Sequence, residues 1–366
     1  MSGGQAAQPA STAEIPQAPP ANAAFPAGFD SGLRRFLVWA VLLITGSYTF
    51  LDYWNYSRTF HAGGGEWEAL LAGTSYAPAQ YRIGVIRAAD VLARLTHTHL
   101  RHMFAAIDFV CLGISLALLL WLLTRNSTFR DSSDGGSGVC HVARWLQASL
   151  ALGCFLFYLL WSFWFQKPET HATLLLLVLS AVAAQWRRRG PAVLALIALA
   201  ALGTTVRADA VIAFHAGFLA ACLLPQSRSL PLGRAAQAIA SLLSIAAAVG
   251  IEYFIMHHVY PNAPRQVAAF QLLSNLKSWM NYFVVALALF PWWLTLRLAA
   301  RHWRTLDGWM VGLLLGSVVH FVLFCIFGIA WEVRIFLPFA MTLVPLTVTL
   351  AYATIERTAD PPLRSE

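Results

Sequence analysis

The sequence predicts an all-α fold, a polytopic bundle of about ten transmembrane helices. Three observations predict it. Charged residues make up only 11% of the 366-residue chain, less than half the roughly 25% with which a soluble domain coats its surface. Hydrophobic residues reach 58%, and the mean hydropathy is +0.61. Apolar runs of about 18–25 residues recur, the length a helix needs to cross about 30 Å of hydrocarbon. In that medium each backbone N–H and C=O must be satisfied within the segment, which selects helices.

The net charge of +8 does not point to nucleic acid. Its basic residues are scattered over short loops, with no basic stripe interleaved with aromatics. Lipid headgroups and the membrane's charge asymmetry account for them better. The five cysteines (Cys111, Cys140, Cys154, Cys222 and Cys325) form no Cys-x-x-Cys pair. Neither a zinc site nor a disulfide framework is therefore expected.

Taken in order, residues 1–32 are rich in Ala, Pro, Gly and Ser without an apolar period. They read as a disordered tail lacking a signal-peptide pattern. Residues 33–356 form the membrane domain. Spans are expected at about 35–53, 101–124, 144–165, 170–187, 191–206, 208–225, 233–259, 277–300, 307–328 and 334–356. The fifth and sixth are short, which fits tilted neighbours, a re-entrant pair or one broken helix. The long segment 54–100 contains "IGVIRAADVLARLTHTH", whose apolar Ile83, Ile86, Val91, Leu92 and Leu95 alternate with Arg87, Asp90 and Arg94. That pattern suits a helix lying in the interface plane. "NSTFRDSSDGGSG" reads as a flexible linker, and residues 357–366 as a second tail.

Charge sets the expected orientation. With ten spans and a cytoplasmic N-terminus, 15 of the 25 basic residues fall in inner loops, including Arg187, Arg188 and Arg189. The positive-inside rule then places both termini in the cytoplasm and 54–100 outside, in a bacterial inner membrane.

On the outer side the ionisable residues are of mixed sign: Asp52, Glu66, Glu68, Arg82, Glu169, His171, Arg207, Asp209, Glu252, Glu332 and Arg334. Charges beside hydrocarbon are costly unless paired or facing water. Acid and arginine two residues apart occur at both Arg207/Asp209 and Glu332/Arg334, which suggests a cavity opening outward. Arginine binds phosphate bidentately, and a nearby carboxylate can deprotonate an attacking hydroxyl. Asp52 is the first candidate for that base, with Glu66, Glu68 and Glu332 behind it. Tyr81, Arg82, Arg207, Asp209 and Arg334 are the substrate-side and phosphate-side candidates. The pairs also admit a structural reading, as caps of short helices or salt bridges. His215 and His320 read as core residues. His97, His99 and His102 lie on different helix faces, so no metal site is expected, and no cofactor is assigned.

An acidic residue closing the first span, a long first outer loop with an interfacial helix and an outward site resemble the GT-C superfamily of polyprenyl-phosphate-sugar-dependent glycosyltransferases. "YAPAQYRIGVIRAADVLARL", "VRADAVIAFHAGFL" and "WEVRIFLPFAMTLVPL" are also similar to three segments of bacterial membrane proteins grouped with that fold. The layout covers about residues 35–356. The acidic pair typical of the first outer loop has its nearest counterpart in Glu66-Trp67-Glu68. The resemblance implies transfer of a sugar from a lipid-linked donor to a cell-envelope glycan or lipid acceptor, with membrane lipids as further partners. Two alternatives stay open: a polysaccharide polymerase or ligase, and a transporter for an anionic solute or lipid, which would place ionisable groups inside its spans.

Overall fold

The computed structural model describes residues 31–61, 65–77, 79–125, 138–162, 167–264, 270–329 and 332–359. Nearly all of the expected N-terminal tail and linker, and the C-terminal tail beyond 359, lie outside the described residues. Among the described residues the fold is all-α. Its helices are α1 (Ser31–His61), α2 (Gly65–Ala72), α3 (Gly84–Thr96), α4 (Leu100–Arg125), α5 (Gly138–Ser162), α6 (Glu169–Ala183) and α7 (Arg189–Ala221). There follow α8 (Arg234–Phe254), α9 (Leu272–Lys277), α10 (Trp279–Ala288), α11 (Phe290–Arg301), α12 (Gly308–Phe327), α13 (Leu337–Thr342) and α14 (Val344–Ala359).

Six helices (α1, α4, α5, α7, α8 and α12) are long and apolar enough to cross a membrane. A seventh crossing exists if α10 and α11, bent by 67°, form one span. About ten spans are expected from the sequence; six or seven helices pass by length and composition, with α7 covering two of the expected segments, for local reasons. Helix α6 has 15 residues and covers only about 22 Å. The last expected span breaks at Leu343 into α13 and α14. Proline near the start of a helix is tolerated because its missing N–H would be unpaired there, and Pro291, Pro338 and Pro345 all sit at such starts. The first expected span does not end at Asp52; α1 runs on to His61.

Helix α7 is a hairpin. Arg207 leaves the helical region at φ −157°, ψ 87°, and the chain reverses there. A Cβ placed on Gly203 would lie 2.6 Å from a Val211 methyl, although a straight helix would hold those residues about 12 Å apart. Ala200 and Val211 share one apolar cluster with Ala248. The two ends of α7 also meet. A guanidinium nitrogen of Arg189 lies 3.6 Å from where a Gly233 Cβ would stand, and the Cys222 thiol donates to the Arg234 carbonyl at 3.6 Å. The two limbs, 189–206 and 208–221, thus leave from and return to one end of the bundle. Arg187, Arg188 and Arg189 are exposed at that end, and Arg207 is the tip at the other.

The second limb crosses α12 at backbone contact. A Cβ on Gly217 would come 2.1 Å from the Gly316 nitrogen, so Gly217 and the Gly312-x-x-x-Gly316 stripe are what let these helices touch. The centre of the bundle is the stretch 333–350, in which every residue is buried. A segment apolar on all sides has no face to give to water. On the outside, Trp39, Leu43, Leu160 and Trp279 are each at least 70% exposed, an apolar belt that fits hydrocarbon rather than water.

Candidate functional site

The hairpin tip gathers charge. Arg207 ends the first limb and Asp209 lies in the first turn of the second, so each sits at the helix end whose dipole favours its sign. Arg207 grips Asp209 with two bonds, Nε to Oδ1 at 2.9 Å and Nη2 to Oδ2. Its Nη1 donates to the Ile335 carbonyl at 3.3 Å, tying the tip to the turn before α13. Asp209 Oδ2 also lies 3.3 Å from His320 Nε2 on α12. Because the Gly217/Gly316 crossing brings α12 so close, His320 comes level with Asp209. The His320 ring is flanked by Phe336 at 5.6 Å and Phe339 at 5.3 Å.

The turn before α13 supplies a second pair. Arg334 Nη2 donates to Glu332 Oε2 at 2.9 Å, with the arginine side chain 8% and the glutamate 21% exposed. Arg334 Nε is buried without a hydrogen-bond acceptor.

Arg82 arrives from a third segment. Gln80 is fully buried and holds the loop, accepting from the Ser75 N–H at 2.9 Å and donating to the Leu70 carbonyl at 3.0 Å. Gly84 packs so tightly on the hairpin that a Cβ would lie 2.2 Å from Thr205 Oγ1. Between them Arg82 is partly buried, within electrostatic reach of Arg207, Asp209, Glu169 and Arg334. Burial, and after it the like charge of Arg207, lowers its guanidinium from the usual arginine value. Behind the tip, a narrow crevice with room for about one water molecule lies between α6 and both limbs of α7, bordered by Thr173, Leu176, Gly203, Arg207, Phe214 and His215.

Five of the nine residues proposed from sequence therefore come together: Arg82, Arg207, Asp209, Glu332 and Arg334. Buried Glu169 acts on both Arg82 and Arg207. Tyr81 packs in an apolar cluster with Ala77 and Ile255. Glu68 is exposed on α2, and the side chain of Glu66 lies outside the described residues.

Asp52 belongs to a different group. It is fully buried on α1, with its Oδ2 3.3 Å from His171 Nε2 on α6 and beside Asp108 on α4. Ligand-type atoms of Asp52, Asp108 and His171 all lie within 4.8 Å of one another. Tyr56 donates to Asp108 Oδ2 at 2.7 Å, and the edge of the Tyr48 ring meets His171 at 5.3 Å between centroids. Asp108 was not singled out in the sequence reading, yet a signal existed: an aspartate well inside a 26-residue apolar helix is a functional position by default. His320, read as a core residue, is buried as expected but is also Asp209's partner.

No protein-family model, no curated protein and no solved structure matches this chain.

Proposed function

We propose that this chain is a membrane glycosyltransferase that moves a sugar from a polyprenyl-phosphate donor to a cell-envelope acceptor. The carrying observation is that three arginines from three distant segments converge with carboxylates at one end of the bundle. That end lies opposite the Arg187–Arg189 cluster, which the positive-inside rule puts in the cytoplasm of a bacterial inner membrane.

The pairing pattern suggests how roles divide. Arg207 is committed to Asp209 and Ile335, and it fixes the tip. Arg82 is the arginine placed to hold the donor's phosphate. Glu332, partly open and bonded through one oxygen, is the better base, while sealed Asp52 is too remote from solvent for that task. The acceptor hydroxyl gives its proton to Glu332, and its oxygen bonds to the anomeric carbon. The bond from that carbon to the phosphate oxygen breaks, and polyprenyl phosphate leaves with the electron pair, its charge held by Arg82.

A second reading, a transporter for an anionic solute or lipid, draws on Asp52, Asp108 and His171, which are ionisable groups within spans. One experiment separates the two. Purified protein in nanodiscs is given a panel of polyprenyl-phosphate hexoses and an envelope lipid extract, and free polyprenyl phosphate is measured. Release that falls at least about 100-fold in Arg82→Ala and Glu332→Gln supports transfer. No release from any donor, together with uptake of an anionic lipid analogue into proteoliposomes, makes it a transporter.

A further inference from the structure

We propose that Asp52, Asp108 and His171 form a binding site for one divalent transition-metal ion, Mn²⁺ or Zn²⁺, inside the helix bundle. The inference does not depend on glycosyl transfer.

The three residues come from α1, α4 and α6, and they are 0%, 0% and 3% exposed. Neither oxygen of Asp52 has a hydrogen-bond donor, nor does Oδ1 of Asp108. Buried carboxylate oxygens are ordinarily bonded, because leaving one unpaired costs its full desolvation. His171 Nε2 stands 3.3 Å from Asp52 Oδ2, yet the two do not make a hydrogen bond. The three ligand-type atoms thus lie within 4.8 Å of one another without bonding to each other, the spacing that ligands of one ion take.

Charge gives the same answer. When both carboxylates are ionised beside a neutral imidazole the cluster carries −2, and buried Glu169 adds to the field at Asp108. A divalent cation cancels that charge where no arginine or lysine hydrogen-bonds to either aspartate among the described residues. Two oxygens and one imidazole nitrogen suit Mn²⁺ and Zn²⁺ better than Mg²⁺ or Ca²⁺, which favour all-oxygen sets. Bonds of about 2.0–2.2 Å bring ligand atoms to roughly 3.4 Å from each other, so a spread of up to 4.8 Å closes by small side-chain rotations. Tyr56, donating to Asp108 Oδ2, holds that carboxylate's orientation in the way outer-shell partners of metal ligands do.

The test uses the full chain, purified in nanodiscs through a tag without histidine. Protein stripped with EDTA is dialysed against Mn²⁺ or Zn²⁺, and bound metal is counted by plasma mass spectrometry. One ion per chain is expected for wild type and for Glu68→Gln, and less than a tenth of that for Asp108→Asn and His171→Ala. Where a variant fails to fold, wild type alone decides. Mn²⁺ or Zn²⁺ should raise its Tm by several degrees over the EDTA-treated sample, and Mg²⁺ should not. Wild type that takes up no stoichiometric ion and shows no Tm shift overturns the proposal. So does full binding retained by folded Asp108→Asn and His171→Ala, which would place the metal elsewhere.

Discussion

The hairpin tip and the Asp52 cluster both bury charge between helices, but they do it in opposite ways. At the tip two acids are paired with bases: Arg207 with Asp209, Arg334 with Glu332, and His320 closing on Asp209. Both of those acids remain partly open, Asp209 at 35% and Glu332 at 21%. In the Asp52 cluster two acids share one imidazole, sealed from solvent and short of donors. A neutralised cluster can hold its shape alone. A same-sign cluster needs a proton or a cation to be at ease.

This contrast can be broken by mutation. The largest effect is expected from Arg207→Ala, which leaves Asp209 and the Ile335 carbonyl without their donor. It should destabilise the protein by about 3 kcal/mol, toward the lower end for a broken buried pair because Asp209 is a third open. Thermal unfolding in detergent checks this, and the double variant Arg207→Ala/Asp209→Ala should recover more than half of the loss. If the double variant is as unstable as the single one, the tip is not held by charge complementarity.

Gly217→Ala comes next. Its new methyl meets the α12 backbone and should cost about 2 kcal/mol by overpacking, with a matching loss of function as His320 is pushed away from Asp209. Asp52→Asn should show the opposite sign. In EDTA it removes a buried carboxyl without hydrogen-bond partners, so the Tm should rise by an amount equivalent to about 1 kcal/mol, while the gain vanishes in saturating Mn²⁺. A fall in Tm in EDTA would mean that the Asp52 carboxylate has a partner that stabilises it. Tyr56→Phe deletes the bond to Asp108 and should weaken metal binding roughly 10-fold, read by titration, with about 1 kcal/mol of stability. Arg82→Ala should be the mildest for stability, less than about 0.5 kcal/mol, since that side chain is only partly buried. Its effect should fall on transfer instead, and a large drop in Tm would recast Arg82 as a structural residue.

Much of the tip was legible. "VRADA" and "WEVRIF" place acid and arginine two apart at the ends of apolar runs, and "QYRIG" supplies the third arginine. Charge in such surroundings has to converge or be paired. What could not be read was which arginine is used up in holding the fold. That depends on Arg207 reaching the Ile335 carbonyl, 128 residues away. Asp108 was the converse case, visible as an acid in an apolar helix but without meaning until α1 and α6 set Asp52 and His171 beside it.

By itself, then, the sequence determined the medium. With 11% charged residues the chain cannot clothe a globule in water, and long apolar runs can satisfy their backbone only as helices. It also determined where charges would be tolerated. The number of crossings and the grouping of the charges were decided by tertiary structure. The break near residue 207 was legible, since 191–206 and 208–225 read as two short segments. Only the extended backbone of Arg207 and the packing of the two limbs choose a hairpin over tilted neighbours or one broken helix. Likewise, glycines that let α7 and α12 touch choose which histidine meets which acid. Those are long-range packing choices, set by shape rather than by local composition.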